Sequence, residues 1–423
     1  MPDRWQDLDE QAFGDLLDRY LHPSSPIRQE ESLRGREPQL QTIREALASS
    51  GRNVFVYGDR GVGKTSLALT SAHIYQSSDQ NPVLVACDRD ATFYSVVRDV
   101  VAKLLGQIPI RERRTTTKQL GAQFGGLSAQ HVTAIEQGNV EAPTSVNEAV
   151  ALLQFAGAAH SRRSIAIIDE FEALADARHR ALFGDLLKQI GDQGVELKLI
   201  FSGVGHSLDE MLAQHGSAYR YVASVCLERL GQTPLIELME EVSREIEIPI
   251  SRNRLFRIAA ISDGFPHYVH LLGTKFFWRY YRARSESESW KNEARLFDKA
   301  LADAVGEVDA QLRASYDRAV EKYRDGEHYE YILWALASYH LLKRKTADVF
   351  TSYEGIARKM RVEPINRQQY DARMNRLKRE EYGAIVIGTR QGWYQFREPI
   401  MRGYCRLQAQ LRGLELGVDY PFN

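Results

Sequence analysis

Val56–Leu69 reads VYGDRGVGKTSLAL, a glycine-rich turn that ends in a lysine and a threonine. It follows the short apolar run NVFVYG and leads into KTSLALTSAHIY, a run rich in helix formers. A strand and a helix on either side of G-x-x-x-x-G-K-T predict a phosphate-binding loop. Glycines let the backbone wrap around phosphate oxygens with its N–H groups turned inward, and the helix N-terminus adds partial positive charge.

The loop pattern also predicts roles for single side chains. Lys64 is expected to reach the β- and γ-phosphates of a nucleotide, and the Thr65 hydroxyl is expected to bind Mg²⁺. The predicted nucleotide-binding residues of the loop are Gly58, Asp59, Arg60, Gly61, Val62, Gly63, Lys64, Thr65 and Ser66.

A second motif, IAIIDE, places two carboxylates after four apolar residues. An aspartate at the carboxyl end of a buried strand lies beside a phosphate-binding loop, so Asp169 is predicted to hold Mg²⁺. Glu170 is predicted to be the general base that activates water. Two acidic residues at the end of a strand are a weak signal alone, but they become a strong one when they follow a phosphate-binding loop by about a hundred residues.

Strand patterns alternate with helix patterns through the first half of the chain. The apolar runs NVFVYG, PVLVACD, SIAIIDE, ELKLIFSG and YVASVCLERL are separated by helical segments, which predicts an α/β fold with a parallel sheet covered on both faces. The pattern lapses around residues 106–147, and this segment is interpreted either as a partner- or DNA-binding insertion or as a mobile surface loop.

Composition narrows the class of protein. The 423 residues suggest two or three domains, and the formal net charge of −1 argues against indiscriminate coating of nucleic acid. Between residues 341 and 412, however, sixteen Lys and Arg face seven Asp and Glu. The three cysteines have no metal-site spacing, and no signal peptide or membrane span is evident, so a cytoplasmic protein is expected.

On these motifs the chain resembles the AAA+ ATPases, near the origin-recognition initiators, the STAND signalling ATPases and the transposition-associated ATPases. LRGREPQL resembles their entry box, and LIFSGVGHSLDEML resembles their sensor-1 strand. The resemblance covers about residues 33–272. It implies that Ser202 positions the attacking water and that Arg220 reaches the nucleotide of a neighbouring subunit. An ordinary surface ion pair is the alternative interpretation of Arg220.

The segment DGFPHYVHLLG departs from the family pattern. Many relatives carry an arginine that senses the γ-phosphate where this chain has His267. An imidazole is shorter and mostly neutral near pH 7, so it does not supply the same fixed charge. His267 remains a predicted nucleotide-contacting residue, and the change favours slow hydrolysis and a nucleotide-dependent switch.

The predicted organisation is a P-loop NTPase parallel sheet with a helical lid and a C-terminal winged-helix domain. Its parts are an N-terminal helical arm (1–30), the ATPase domain (31–232), the lid and connecting helices (233–325), the winged helix (326–412) and a tail (413–423).

The third helix of the winged helix is predicted to pack through Tyr370, Met374 and Leu377, which share one face. The opposite face is a candidate for the DNA major groove, and the hairpin tip for an adjacent groove or phosphate. A protein-interaction or nucleotide-clamping module is the alternative. The candidate DNA-binding residues are Gln368, Asn375, Arg376, Arg379 and Arg390.

Together these patterns predict an ATP- and Mg²⁺-dependent ATPase that changes conformation or assembly state and acts on double-stranded DNA, with a homo-oligomer as the expected form. The alternative is a STAND-like switch that oligomerises with ATP and controls a separate protein effector without binding DNA. No stretch of the sequence is typical of such an effector.

Overall fold

The computed structural model describes residues 5–27, 33–108, 129–137, 139–213, 218–285, 292–320, 326–390 and 392–418. The chain divides into two compact units. The sheet unit comprises Pro26–Gly58 and Gly63–Glu228. The helical unit comprises Met1–Ser25, Asp59–Val62 and Arg229–Asn423.

Five parallel strands form the core of the sheet unit, as the sequence predicts. They are β1 (Asn53–Gly58), β2 (Val83–Ala86), β3 (Ile165–Asp169), β4 (Lys198–Gly203) and β5 (Val222–Leu227), in the order β2-β3-β4-β1-β5. Strands β3 and β4 are buried along their whole length, because helices cover both faces of the sheet. The predicted α/β fold class is therefore confirmed.

After α1 (Glu10–Leu17), which belongs to the helical unit, the next helices surround the sheet. They are α2 (Glu37–Ala48), α3 (Lys64–Tyr75), α4 (Phe93–Gly106), α5 (Ala129–Glu136), α6 (Val146–His160), α7 (Ala177–Gln193) and α8 (Gly205–Leu212). Aromatic rings fill the space between sheet and helices: Phe171 lies 5.3 Å from both Phe183 and Phe201, measured between ring centroids. This packing holds the carboxyl end of β3 in place.

Helix α6 is absent from the sequence-based prediction. Ser145 caps its N-terminus by accepting a hydrogen bond from the Glu148 N–H at 3.2 Å. The helix is apolar on nearly all sides and buried, so it lacks the amphipathic period that marks surface helices. Residues 109–128 of the predicted insertion (about 106–147) lie outside the described residues, and the role of the insertion stays open.

The lid region of the helical unit consists of helices. They are α9 (Gln232–Glu245), α10 (Arg252–Ser262), α11 (Pro266–Arg282), α12 (Glu293–Glu307) and α13 (Ala310–Val320). The N-terminal arm packs on α11, where the rings of Phe13 and Tyr281 stack at 4.2 Å and the Tyr281 hydroxyl donates to the Leu8 carbonyl oxygen at 2.7 Å. The arm is therefore integral to this unit, while the predicted domain limits stay predictions.

The C-terminal elements are α14 (Gly326–Ala337), β6 (Arg344–Lys345), α15 (Thr346–Lys359), α16 (Arg367–Arg376), β7 (Val386–Arg390), β8 (Trp393–Phe396) and α17 (Met401–Leu411). The three strands form an antiparallel sheet in the order β6-β8-β7, which confirms the predicted hairpin. This order of elements is consistent with a winged helix. Tyr370, Met374 and Leu377 are fully buried, so the predicted packing face is confirmed.

The predicted third helix ends earlier than expected. Helix α16 stops at Arg376, and the Leu377 carbonyl oxygen accepts a hydrogen bond from the Val386 N–H at 3.2 Å instead of continuing the helix. Arg379 has extended backbone and precedes a short 3₁₀ turn. The prediction that Arg379 shares a helix face with Gln368 and Asn375 is therefore wrong. Among the described residues, no helix is long and apolar enough to cross a membrane.

Candidate active site

The glycine-rich loop connects β1 to α3 at the carboxyl edge of the sheet. Gly61 and Gly63 have φ values of 85° and 97°, which side-chain-bearing residues rarely adopt, and Gly63 caps the N-terminus of α3. A Cβ on Gly58 would lie 2.2 Å from the Leu227 carbonyl oxygen, because β5 runs beside β1. Three glycines of the pattern are thus required by backbone conformation or close packing.

Lys64 and Thr65 occupy the first turn of α3. The Lys64 ammonium donates to the Gly58 carbonyl oxygen at 3.1 Å and so lies across the loop. The Thr65 hydroxyl donates to Asp169 Oδ2 at 2.8 Å. The two motifs that the sequence separates by about a hundred residues therefore meet through a direct hydrogen bond.

Asp169 is the centre of this site. It ends β3, is only 7% exposed, and accepts hydrogen bonds from the Ser202 hydroxyl and, at 3.0 Å, from the Glu170 N–H. Ser202 lies in β4, which pairs with β3, so both side chains reach the same edge of the sheet. Three hydrogen-bond donors therefore converge on this one buried carboxylate.

Glu170 directly follows Asp169 and has a left-handed backbone, with φ 52° and ψ 40°. A glutamate in this conformation is uncommon and costs energy, which is typical of residues held in place at functional sites. Its side chain is exposed, whereas that of Asp169 is buried. The turn thus separates the two carboxylates into a buried one and a solvent-facing one.

Cys87 is a neighbour of this site that the motifs do not indicate. Its N–H donates to the Asp169 carbonyl oxygen at 2.9 Å, and the side chain is 3% exposed. Burial, reinforced by the negative charge of Asp169, raises the pKa of the Cys87 thiol to about 12. The thiol is therefore protonated near neutral pH and is not a nucleophile.

Two predicted loop residues make contacts of a different kind. Ser66 Oγ accepts a hydrogen bond from the Ile27 N–H at 3.1 Å, which ties the segment before α2 to α3. Arg60, counted within the helical unit, pairs with Glu398 at 3.0 Å and with Asp309 at 3.3 Å, and 55% of its side chain is exposed. For both residues a nucleotide contact stays a prediction.

Arg220 and His267 lie in different units. Arg220 ends the 3₁₀ turn Ala218–Arg220 and is exposed, next to Tyr219, which is 57% exposed. His267 is the second residue of α11, and its Nδ1 lies 3.2 Å from the Pro23 carbonyl oxygen. Burial lowers the pKa of His267, so its imidazole is neutral near pH 7. The roles predicted for both residues stay predictions.

The candidate DNA-binding side chains are solvent-facing where they are described. Gln368, Asn375, Arg376 and Arg379 are exposed, although Arg376 also donates to the Tyr329 hydroxyl at 3.1 Å. The backbone of Arg390 lies in β7, and its side chain is outside the described residues.

The positive charge of residues 341–412 is partly internal. Among the described side chains of this segment, three of the basic ones are buried: Arg344, Arg402 and Arg406.

We compared the sequence and the structure with those of known proteins to identify the family. Residues 32–200 match the AAA ATPase domain family. A Walker-type ATPase of Pyrococcus abyssi has a similar structure, with a TM-score of 0.52 at 17% identity over 92% of this chain and 99% of that one.

Two Aeropyrum pernix structures are more distant. The ORC2 protein has a TM-score of 0.47 at 14% identity, over 93% of this chain and 98% of its own. The ORC1 protein in complex with DNA has a TM-score of 0.41 at 14% identity, over 89% and 93%. No curated protein matches the sequence. From the family match, the P-loop geometry and the shared fold, we conclude that the chain carries an AAA ATPase domain at residues 32–200 on a P-loop NTPase fold.

Proposed function

We propose that the protein hydrolyses ATP to ADP and phosphate and changes its conformation or assembly state with the bound nucleotide. The observation that carries this proposal is the 2.8 Å hydrogen bond between the Thr65 hydroxyl and Asp169 Oδ2. It brings the phosphate-binding loop and the acidic strand end together in the arrangement that phosphoryl transfer requires.

The donor set at this point fits Mg²⁺. A hydroxyl and a carboxylate offer two hard oxygen ligands, and Mg²⁺ prefers few protein oxygens together with substrate phosphates and water. Thr65 and Asp169 are the residues that would hold the ion. When bound, Mg²⁺ neutralises charge on the β- and γ-phosphate oxygens.

The remaining groups divide the work of hydrolysis. Lys64 binds the β- and γ-phosphates, and Glu170 accepts a proton from the water that attacks the γ-phosphorus, while the bond to the β-phosphate oxygen breaks. Ser202, through its bond to Asp169, orients that water. Arg220, exposed on its turn, stabilises the developing charge in a neighbouring subunit, as arginine fingers do.

Binding and hydrolysis are separable by mutation. Glu170→Gln should retain binding of a fluorescent ATP analogue but lose phosphate release by at least about a hundredfold, the usual contribution of a general base. Lys64→Ala should weaken binding itself. Unchanged phosphate release by Glu170→Gln would remove Glu170 from the reaction.

DNA is the proposed substrate of the nucleotide-driven change. The exposed Gln368 and Asn375 on α16 suit base edges, and the surface excess of positive charge around them suits phosphates. Fluorescence anisotropy with a labelled duplex should show affinity that falls steeply with salt. The double variant Gln368→Ala/Asn375→Ala should bind more weakly, whereas Arg295→Ala, an exposed arginine on α12, should bind like the wild type. Equal affinities for all three would refute this use of α16.

A signalling switch is the second candidate. The neutral state of His267 favours it, because the lid then lacks the fixed positive charge that an arginine supplies to the γ-phosphate. Under this alternative, ATP increases the molecular mass measured by light scattering, duplex DNA changes neither mass nor phosphate release, and a separate protein executes the effect.

A further inference from the structure

Asp263 is a buried carboxylate that the proposed hydrolysis does not use. It directly follows α10, with a left-handed φ of 50°, and its side chain has no exposed surface. Three arginines from two distant parts of the chain surround it. We call Asp263, Arg229, Arg402 and Arg406 the Asp263 cluster.

Each arginine contacts the carboxylate directly. Arg229 Nη1 lies 2.8 Å from Asp263 Oδ2, Arg406 Nη2 lies 2.8 Å from Oδ1, and Arg402 Nε also donates to Oδ2. Burial alone would raise the pKa of Asp263, but the three guanidinium groups outweigh it and hold the pKa below its ordinary value. The carboxylate is therefore ionised.

The same arginines also bind the end of α14 and the turn that follows it. Arg406 Nε donates to the Ala337 carbonyl oxygen at 2.9 Å, and Arg402 Nη1 donates to the Leu341 carbonyl oxygen at 3.0 Å. Arg229 Nη2 donates to the His340 carbonyl oxygen at 2.8 Å. The last carbonyls of a helix lack partners within it and carry partial negative charge, so they complement the excess of cations over Asp263.

Close packing between α11 and α17 continues the connection. The Tyr268 hydroxyl donates to the Ile400 carbonyl oxygen at 3.1 Å. A Cβ on Gly403 would lie 2.3 Å from the Tyr268 ring, so glycine is needed for the helices to approach this closely. Within the helical unit, α11 and the turn before it thus contact α17 through the ion pairs of Asp263, the Tyr268 hydrogen bond and the close packing at Gly403.

We propose that the Asp263 cluster locks the lid helices α9–α11 and the C-terminal elements α14–α17 into a single rigid body. If ATP moves the lid, as the proposed function requires, the C-terminal elements α14–α17 then move with it as one body. The start of α11, which carries His267, and the candidate DNA-binding helix α16 would then move together as parts of one rigid body.

Distances between spin labels test this rigidity. Labels are placed at Glu240→Cys on α9 and Thr351→Cys on α15, both exposed, in a Cys226→Ser background that removes the exposed native thiol. The wild-type pair should give one narrow distance distribution that is the same with and without ATP and Mg²⁺. Asp263→Asn, which keeps the size but removes the charge, should broaden the distribution about twofold or split it, because the three arginines then lose the carboxylate that balances their charge.

Controls keep the outcome decisive. Asp303→Asn removes the ion pair with Arg279 between α11 and α12 in the same unit and should leave the distribution narrow. If Asp263→Asn does not fold, Arg229→Gln replaces it and should broaden the distribution in part. A wild-type distance that changes with ATP, or a cluster variant as narrow as the wild type, overturns the proposal. Failure to bind ATP would overturn the proposed function instead, since the nucleotide-free comparison still decides rigidity.

Discussion

Mild acid should destabilise the helical unit through His270. This residue of α11 is 3% exposed, and its Nδ1 accepts a hydrogen bond from the His22 N–H at 3.2 Å, so the protein holds it neutral. Burial, together with the nearby His22 and His267, lowers the pKa of His270 from 6.5 to about 3. As the pH falls below 6.5, His270 becomes protonated in the unfolded chain but stays neutral in the folded chain, so acid favours unfolding.

The size of the effect follows from that difference. Each pH unit between the two pKa values costs about 1.4 kcal/mol of unfolding free energy. Moving from about pH 7.5 to about pH 5 should therefore remove about 2 kcal/mol through His270 alone. The pKa values of His22 and His267 are also lowered, mainly by burial, so they act in the same direction.

Tryptophan fluorescence in urea reports on this unit, because the described tryptophans, Trp5, Trp278, Trp334 and Trp393, all lie in it. His270→Gln removes the titrating group, so its unfolding free energy should fall less between the two pH values, by about 2 kcal/mol. Parallel pH profiles for wild type and His270→Gln would refute the reasoning.

Substitutions at four positions probe the sheet unit and the phosphate-binding loop. Thr65→Val should abolish Mg²⁺-dependent phosphate release while Thr65→Ser retains it, because only the hydroxyl bonds Asp169; a Thr65→Val enzyme that keeps its rate would contradict this. Gly63→Ala should lower the free energy of unfolding, measured by thermal unfolding, by about 1 kcal/mol, because φ is 97° although there is space for a Cβ. Gly61→Ala should lower it further, because its Cβ would also lie 2.4 Å from the Ile400 side chain. Phe183→Ala, which empties part of the aromatic core, should cost about 3–5 kcal/mol in chemical denaturation; a cost under about 1 kcal/mol would mean that the core collapses.

Local patterns predict the nucleotide-binding part of the fold well. The bounds of β1 and α3 agree with the apolar run and the helix inferred from the sequence, because the glycines and the first helical turn fix the geometry within a dozen residues. The bond from Thr65 to Asp169 was inferable because both ends lie at the carboxyl edge of one parallel sheet.

Non-local contacts account for what the sequence did not predict. Arg379 leaves the helix because the Leu377 carbonyl oxygen bonds to a strand residue nine positions further on. Arginine is mostly exposed in proteins, yet Arg402 and Arg406 are buried against Asp263, about 140 residues away in sequence. The sequence shows how many charged residues a segment has, but it does not show which distant residue each of them pairs with.

Steady-state phosphate release, with and without double-stranded DNA, decides whether this site drives action on DNA. Glu170→Gln gives the background rate. We expect a Glu170-dependent rate that duplex DNA raises several-fold and that Gln368→Ala/Asn375→Ala leaves at its DNA-free level. A rate equal to that of Glu170→Gln, with and without DNA, would contradict the proposed hydrolysis and favour a switch that only binds ATP.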